Sequence, residues 1–272
     1  MTKLREAKPQ DVMKRQTLKT VSLGFAGLMW DLGAYAASGS VKVGFLDNYL
    51  PFSYVDSQGQ LKGFDVEVVT RLAEVLNLKI ETFAAGMAQL NRGLKTNELM
   101  LIGNQLLATA ENRREFDFVK PYASLQMVSV LHEDDPRDFL SLDDFFGKKL
   151  GVLKSTGVEE QARNVIGKSV VAFERIEDAL KALADKKLDA VLEESLIVEY
   201  FIERNNLPVK VGAPFAAPVN VGLVVKKSNQ EMQAKLNAAV QTILKDGSFK
   251  AISGRWFGYD VSRARTGHAI SN

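Results

Sequence analysis

From Val41 onward the chain alternates short β-rich apolar runs with stretches whose apolar positions recur at helical spacing. VKVGFL, starting at Val41, leads through a turn to Val68, Val69, Leu72, Val75 and Leu76, which share one face of a helix. A strand around Ile80 follows. The rhythm continues with LMLIGN from Leu99, KKLGVL from Lys148, SVVAF from Ser169, a helix over Ile176 to Asp185, and LDAVL from Leu188. Strands alternating with helices predict parallel sheets and hence an α/β protein. Asp65 stands where it would cap the first helix. In the last third, Ser228 and Glu231 have the spacing of a capping box ahead of Met232, Leu236, Val240 and Ile243, and Asp246 with Gly247 ends that helix. Phe249, Ile252 and Trp256 mark a second amphipathic turn, and residues 261–272 read as a flexible tail. No low-complexity linker divides the chain, so two lobes would be joined by short structured crossings.

The segment before Val41 follows a different grammar. Residues 13–36 start with Lys14 and Arg15, continue as an apolar stretch from Val21 to Trp30, and end in small residues at Ala34 and Ala36. That is the order of a cleavable secretory signal, read here as residues 1–36 with cleavage after Ala36 and with Met13 as a candidate true start. About 10 apolar residues fall short of the roughly 20 that span a bilayer. The signal also accounts for the charge: removing its six basic and three acidic side chains leaves 29 basic against 30 acidic. A body this neutral has no field to hold nucleic acid or an anionic membrane, and Lys226, Lys227 and Lys235 read as a solvated helix face. With no cysteine there are no disulfides, thiolate metal sites or thiol nucleophiles. His132 and His268 are far apart, and no metal or cofactor is expected.

DNYLPFSYVDSQGQLKGFDVEVVTRLAEVLNL, residues 47–78, resembles the opening of the family 3 periplasmic solute-binding proteins, the amino-acid receptors of ABC importers. An aromatic-x-Pro-Phe turn, a turn at Asp56 and Gly59, and GFDVE at Gly63 arrive in the family's order. The likeness continues through TAENRREFDFVKPY at Thr109, GKKLGVLKSTGVEE at Gly147, LDAVLEES at Leu188 and DGSFKAISGRWFG at Asp246. It implies a type II periplasmic-binding-protein fold: two α/β lobes, each a mostly parallel sheet flanked by helices, closing on a ligand about two hinge crossings. Residues 41–125 with 218–260 would form the first lobe and residues 126–217 the second, with the crossings near Ser124 to Leu131 and Ala213 to Leu223.

The resemblance also implies site residues. Tyr49 stands where an aromatic stacks on the ligand, and Met87 at a position that faces the ligand side chain or fills core. Asn104 and Gln105 follow the strand LMLIG, at the sheet edge that presents polar groups to the ligand's ammonium. The Thr-x-x-Arg motif begins at Thr109, but an ungapped reading puts Asn112 where an arginine should clamp the α-carboxylate, with Arg113 and Arg114 next. Either a register shift brings Arg113 into the cleft, or the clamp is weakened, or both arginines are solvated first-turn residues; Asn offers one neutral donor face where Arg offers a fork. Ser155 and Thr156 match the family's pair at a helix start, and Thr156 with Glu159 has capping-box spacing. The ammonium-binding Asp falls on Glu194, one methylene longer, while Asp189 reads as a structural turn residue. Both charge anchors are altered, which points away from a plain L-α-amino acid and toward a more cationic or less anionic ligand.

The resulting expectation is a monomeric periplasmic receptor, not an enzyme, that passes a polar metabolite, an amino acid or a relative of one, to a membrane ABC permease. A dehydratase-like cleft enzyme and a ligand sensor or accessory subunit are the competing readings on the same fold.

Overall fold

A computed structural model describes residues 40–215 and 217–263. The expected signal segment, residues 1–36, His268 and most of the expected tail lie outside them. The elements, in chain order, are β1 (Ser40–Leu46), β2 (Asn48–Tyr49), β3 (Ser53–Val55), β4 (Leu61–Lys62), α1 (Phe64–Val75), β5 (Lys79–Ala85), α2 (Met87–Lys95), β6 (Leu101–Leu107), α3 (Asn112–Glu115), β7 (Phe116–Phe118) and β8 (Ala123–Leu125). Then follow β9 (Met127–His132), β10 (Leu150–Leu153), α4 (Gly157–Ile166), β11 (Val170–Phe173), α5 (Ile176–Ala184), β12 (Ala190–Glu194), α6 (Ser195–Asn205), β13 (Val209–Pro214), β14 (Val219–Lys226), α7 (Gln230–Lys245) and α8 (Ser248–Phe257).

Two sheets organise these elements into two lobes. Among the described residues, the first runs β5-β1-β6-β14-β7 with β8 also on β14, and the second runs β11-β10-β12-β9-β13. Strands linked through helices pair in parallel, as β1 does with β5 and β6, and β10 with β11 and β12. The strands that arrive from the other sheet do not. β9 follows β8 after the single residue Gln126 and pairs antiparallel with β12 and β13, while β14 follows β13 and pairs antiparallel with β6, β7 and β8. Each lobe is thus parallel on one side and antiparallel around its returning strand.

Helix α1 buries Phe64, Val68, Val69 and Leu72 against the first sheet, and α7 and α8 pack on α1 through Leu236, Val240, Phe249 and Ile252. The apolar core passes from these residues into the second lobe through Leu125, Val128 and Val130. Behind that passage, Trp256 of α8 stacks on Tyr200 of α6 with ring centroids 6.0 Å apart. Val261, the start of the expected tail, is buried, and its N–H donates to Ser253 Oγ at 2.9 Å. Ordered packing therefore extends at least to Val261.

Two helix starts differ from the local pattern. Gly63, not Asp65, caps α1, because the helix is entered against the loop: with φ of 143° its Cβ would lie 2.1 Å from the Phe52 carbonyl oxygen, a gap only glycine tolerates. α7 is capped by Asn229, whose Oδ1 accepts the Met232 N–H at 3.2 Å, and Ser228 takes a φ of 74° in the preceding turn.

Candidate functional site

Between the lobes lies a cleft of about 1040 Å³. The first lobe supplies the β2–β3 hairpin, from Asn48 to Leu50 and at Tyr54 and Val55, together with Leu107 at the end of β6. The second lobe supplies the carboxyl ends of β10, β11 and β12 and the first turns of α4, α5 and α6. Ligand crevices of α/β sheets form at that edge, because the strands end there and the helix N-termini with their unsatisfied N–H groups begin.

Tyr49 and Glu194 meet across this cleft. The Tyr49 hydroxyl donates to Glu194 Oε2 at 3.1 Å, joining residues of opposite lobes. The Tyr49 ring rests 4.8 Å from that of Phe52, which is wholly buried. Burial, with the Glu194 carboxylate beside it, holds the Tyr49 phenol well above its usual range, so the hydroxyl stays a donor. Burial likewise raises the Glu194 carboxyl, against a lowering by the Tyr49 bond. Glu193, only 8% exposed, also lines the cleft; its Oε1 accepts the Glu194 N–H at 2.8 Å, and burial pushes its carboxyl up to about 7.

Thr156 stands on the second lobe's wall, at the start of α4. Its Oγ1 accepts the Glu159 N–H at 3.2 Å and donates to the Leu153 carbonyl at 2.8 Å. The Glu159 carboxylate returns to the Ser155 N–H at 2.7 Å, one residue earlier than a capping box requires. Ser155 is exposed, with a φ of 60°, and lies outside the cleft lining.

The remaining sequence candidates surround the cleft without lining it. Asn104 is wholly buried: its Oδ1 accepts the Leu46 N–H at 2.7 Å and its Nδ2 donates to Ser53 Oγ at 2.8 Å and Asp65 Oδ2 at 3.3 Å. Asp65 is the hub of this network, since it also accepts the Gln105 N–H at 2.9 Å and the Tyr122 hydroxyl at 2.9 Å. Burial raises its carboxyl to about 7 even against these three bonds. Asn112 Nδ2 donates to the Leu107 carbonyl at 2.9 Å, fixing the strand end that forms the wall. Thr109 is exposed and accepts the Asn112 N–H at 3.2 Å through Oγ1. Arg113 folds the other way, its Nε on the Ala108 carbonyl at 3.1 Å and its guanidinium 5.3 Å from the Phe118 ring centroid. Met87 packs beside Leu90 and Ile102 in a small apolar cluster of the first lobe.

Gln105 is 2% exposed, and neither Oε1 nor Nε2 has a hydrogen-bond partner among the described residues. Replacing a buried, unbonded amide by an apolar group of like volume is nearly neutral or stabilising. Gln105→Met is expected to leave the melting temperature unchanged or to raise it by about 2–4 °C, on the order of 1 kcal/mol. Differential scanning calorimetry checks this, and a drop of several degrees would show that the amide has a partner in solution.

The two raised carboxyls set a pH dependence. Asp65 and Glu193 keep their protons up to about pH 7 in the folded chain, whereas unfolded carboxyls lose them near pH 4. Between those values the native state holds more protons than the unfolded one, so stability falls as pH rises and levels off above 7. The unliganded protein should lose on the order of 5 kcal/mol between pH 5 and 8, and Glu193→Gln should flatten the slope by about half. Urea midpoints across that range test it; a flat or rising profile contradicts it.

Of the residues that the resemblance implies, Tyr49, Thr156 and Glu194 line the cleft, and so do Glu193, Tyr54, Ile176, Ile197 and Phe201, which it does not mark. Glu193 was detectable as a second consecutive acid at the end of an apolar strand. The others sit in helix or hairpin positions whose apolar character reads as core.

Known proteins give this arrangement a context. The chain is 27% identical over 226 residues to the L-cystine-binding protein TcyJ of Escherichia coli (strain K12), covering 83% of this chain and 85% of that one. It is 28% identical over 246 residues to the L-arginine-binding protein of Pseudomonas aeruginosa, covering 85% and 92%. Among solved structures, the unliganded open L-cystine solute receptor of Neisseria gonorrhoeae superposes with a TM-score of 0.68 at 30% identity, over 83% of this chain and 95% of that one. The family model for bacterial extracellular solute-binding proteins, family 3, matches residues 41–259, which take in both sheets and the cleft between them, and the chain belongs to that family.

Proposed function

We propose that this protein is an exported receptor that captures an amino acid or a closely related ammonium-bearing solute between its lobes and delivers it to an ABC importer. The observation that carries this reading is the pairing of Tyr49 and Glu194 from opposite lobes inside a cleft of small-molecule size. An aromatic face and a carboxylate are the groups that recognise an ammonium and the carbon skeleton attached to it. Glu194 takes the ammonium, Tyr49 covers the ligand, and the start of α4 at Thr156 offers N–H groups to a carboxylate. Asn104, Asn112 and Asp65 hold the cleft edge in place, and the crossings on either side of the second lobe act as the hinge. Residues 1–36 direct export to the periplasm and are then removed. The protein binds its solute without turnover, as expected of a receptor.

Isothermal titration of residues 37–272 against the L-amino acids and simple amines tests this. A 1:1 complex with micromolar or tighter affinity and an unaltered solute is expected. Failure to bind any ammonium-bearing solute, or its chemical conversion, overturns the reading.

A further inference from the structure

Charge is distributed unevenly along the cleft. Among the lining residues, the exposed Glu174 and Arg175 and the half-buried Glu177 each have a counter-charge: Lys154 Nζ is 2.5 Å from Glu174 Oε1, and an Arg175 Nη is 2.9 Å from Glu177 Oε1. Glu193, buried, and Glu194, half-buried, are the last two residues of β12, and no basic side chain among the described residues neutralises either. Among the described residues, the one arginine in the cleft lining, Arg175, is engaged with Glu177, and Arg113 faces Phe118 outside it. The interior therefore offers two carboxylates with no built-in counter-ion, and no guanidinium fork for an α-carboxylate.

The neutral donors on these carboxylates underline the point. Glu194 receives the Tyr49 hydroxyl and Glu193 receives a single backbone N–H, where an ionised carboxylate has room for about four hydrogen bonds. An ammonium or guanidinium brings several donors and a full charge, so its attraction exceeds that of the phenol it would displace. The same lining includes the apolar Leu153, Leu192, Ile197 and Phe201, which suit a methylene chain.

Building on the receptor reading above, we propose that the solute is a dication whose two positively charged nitrogens are held separately by Glu194 and Glu193, with any carboxylate secondary to them. A basic amino acid and an aliphatic diamine share this chemistry. The burial that keeps the Glu193 proton on at neutral pH in the empty cleft is overcome by the arriving charge, so binding releases a proton and tightens as pH rises from 6 to 8.

The experiment compares isosteres of different charge by titration calorimetry at pH 8 with the mature chain: L-arginine against L-citrulline, L-lysine against L-norleucine, and 1,4-diaminobutane. The charged member of each pair is expected to bind at least 30-fold more tightly than the neutral one. Glu193→Gln, which keeps the acceptor for the Glu194 N–H and is checked for folding by circular dichroism, should reduce that ratio below 5-fold. Binding of 1,4-diaminobutane alone supports the dication with a diamine as its source, and binding of arginine or lysine alone supports it with a basic amino acid. Equal affinity for the charged and neutral isosteres, or a ratio unchanged in Glu193→Gln, overturns the proposal while the receptor reading stands. No complex with any amino acid or amine removes both.

Discussion

Asp65→Ala is expected to lower the stability of the unliganded protein by about 3–6 kcal/mol, enough to leave a large fraction of the first lobe unfolded at room temperature. The carboxylate accepts from the Tyr122 hydroxyl, the Gln105 N–H and the Asn104 amide, all three buried. Removing it orphans three donors at once, each at about 1–3 kcal/mol. The raised carboxyl pKa does not argue against the bonds: burial opposes the charge, and the hydrogen bonds oppose burial. Tyr122→Phe is the control, since it removes one donor along with its bond and should cost only about 1 kcal/mol. Urea denaturation at pH 7 separates the two cases; an Asp65→Ala midpoint within error of the Tyr122→Phe midpoint would sink the hub interpretation.

The Asp65 network also shows where the sequence was legible and where it was not. The helix that begins in GFDVE could be read from its apolar spacing, and so could the alternation of strands and helices that gives two α/β lobes. The role of Asp65 could not, because an acid at a helix start is locally indistinguishable from a cap. Its partners lie 39 to 57 residues away, a separation that no periodicity reports. The one-residue shift of the α7 cap from Ser228 to Asn229 has a smaller cause of the same kind, since Asp117 Oδ2 accepts the Ser228 N–H at 2.7 Å and draws that residue into the turn.

At the site, type and neighbourhood were legible to different degrees. Tyr49, Thr156 and Glu194 could be placed because each falls on a position that the family resemblance marks, at a turn, a helix start or a strand end. Asn112 and Arg113 could not be resolved from sequence, since the four-residue helix α3 decides which of them points to the strand end. The structure sends Asn112 to the Leu107 carbonyl and Arg113 to Phe118. Glu193 escaped notice because strand alternation puts consecutive residues on opposite faces, yet both of the last two residues of β12 line the cleft.

Glu194→Gln is expected to weaken solute binding by 100-fold or more, about 3 kcal/mol, while leaving the empty protein as stable as before or more so. The asymmetry follows from its surroundings. In the absence of solute the Glu194 carboxylate is half-buried, raised in pKa by that burial, and partnered by the Tyr49 hydroxyl, with no cation nearby among the described residues. An amide carbonyl accepts the same Tyr49 hydrogen bond without carrying a charge into the cleft, so folding loses little. With solute bound the comparison reverses, because an ammonium facing an amide in place of a carboxylate loses its counter-charge in a site withdrawn from water. Tyr49→Phe supplies the contrast: it removes the neutral donor that competes for Glu194 but keeps the ring, so affinity should change less than 5-fold in either direction. Titration calorimetry gives the affinities and differential scanning calorimetry the stabilities. A Glu194→Gln protein that binds as tightly as the parent would mean that the ammonium is held elsewhere, and a Glu194→Gln protein that fails to fold would mean that the carboxylate is structural.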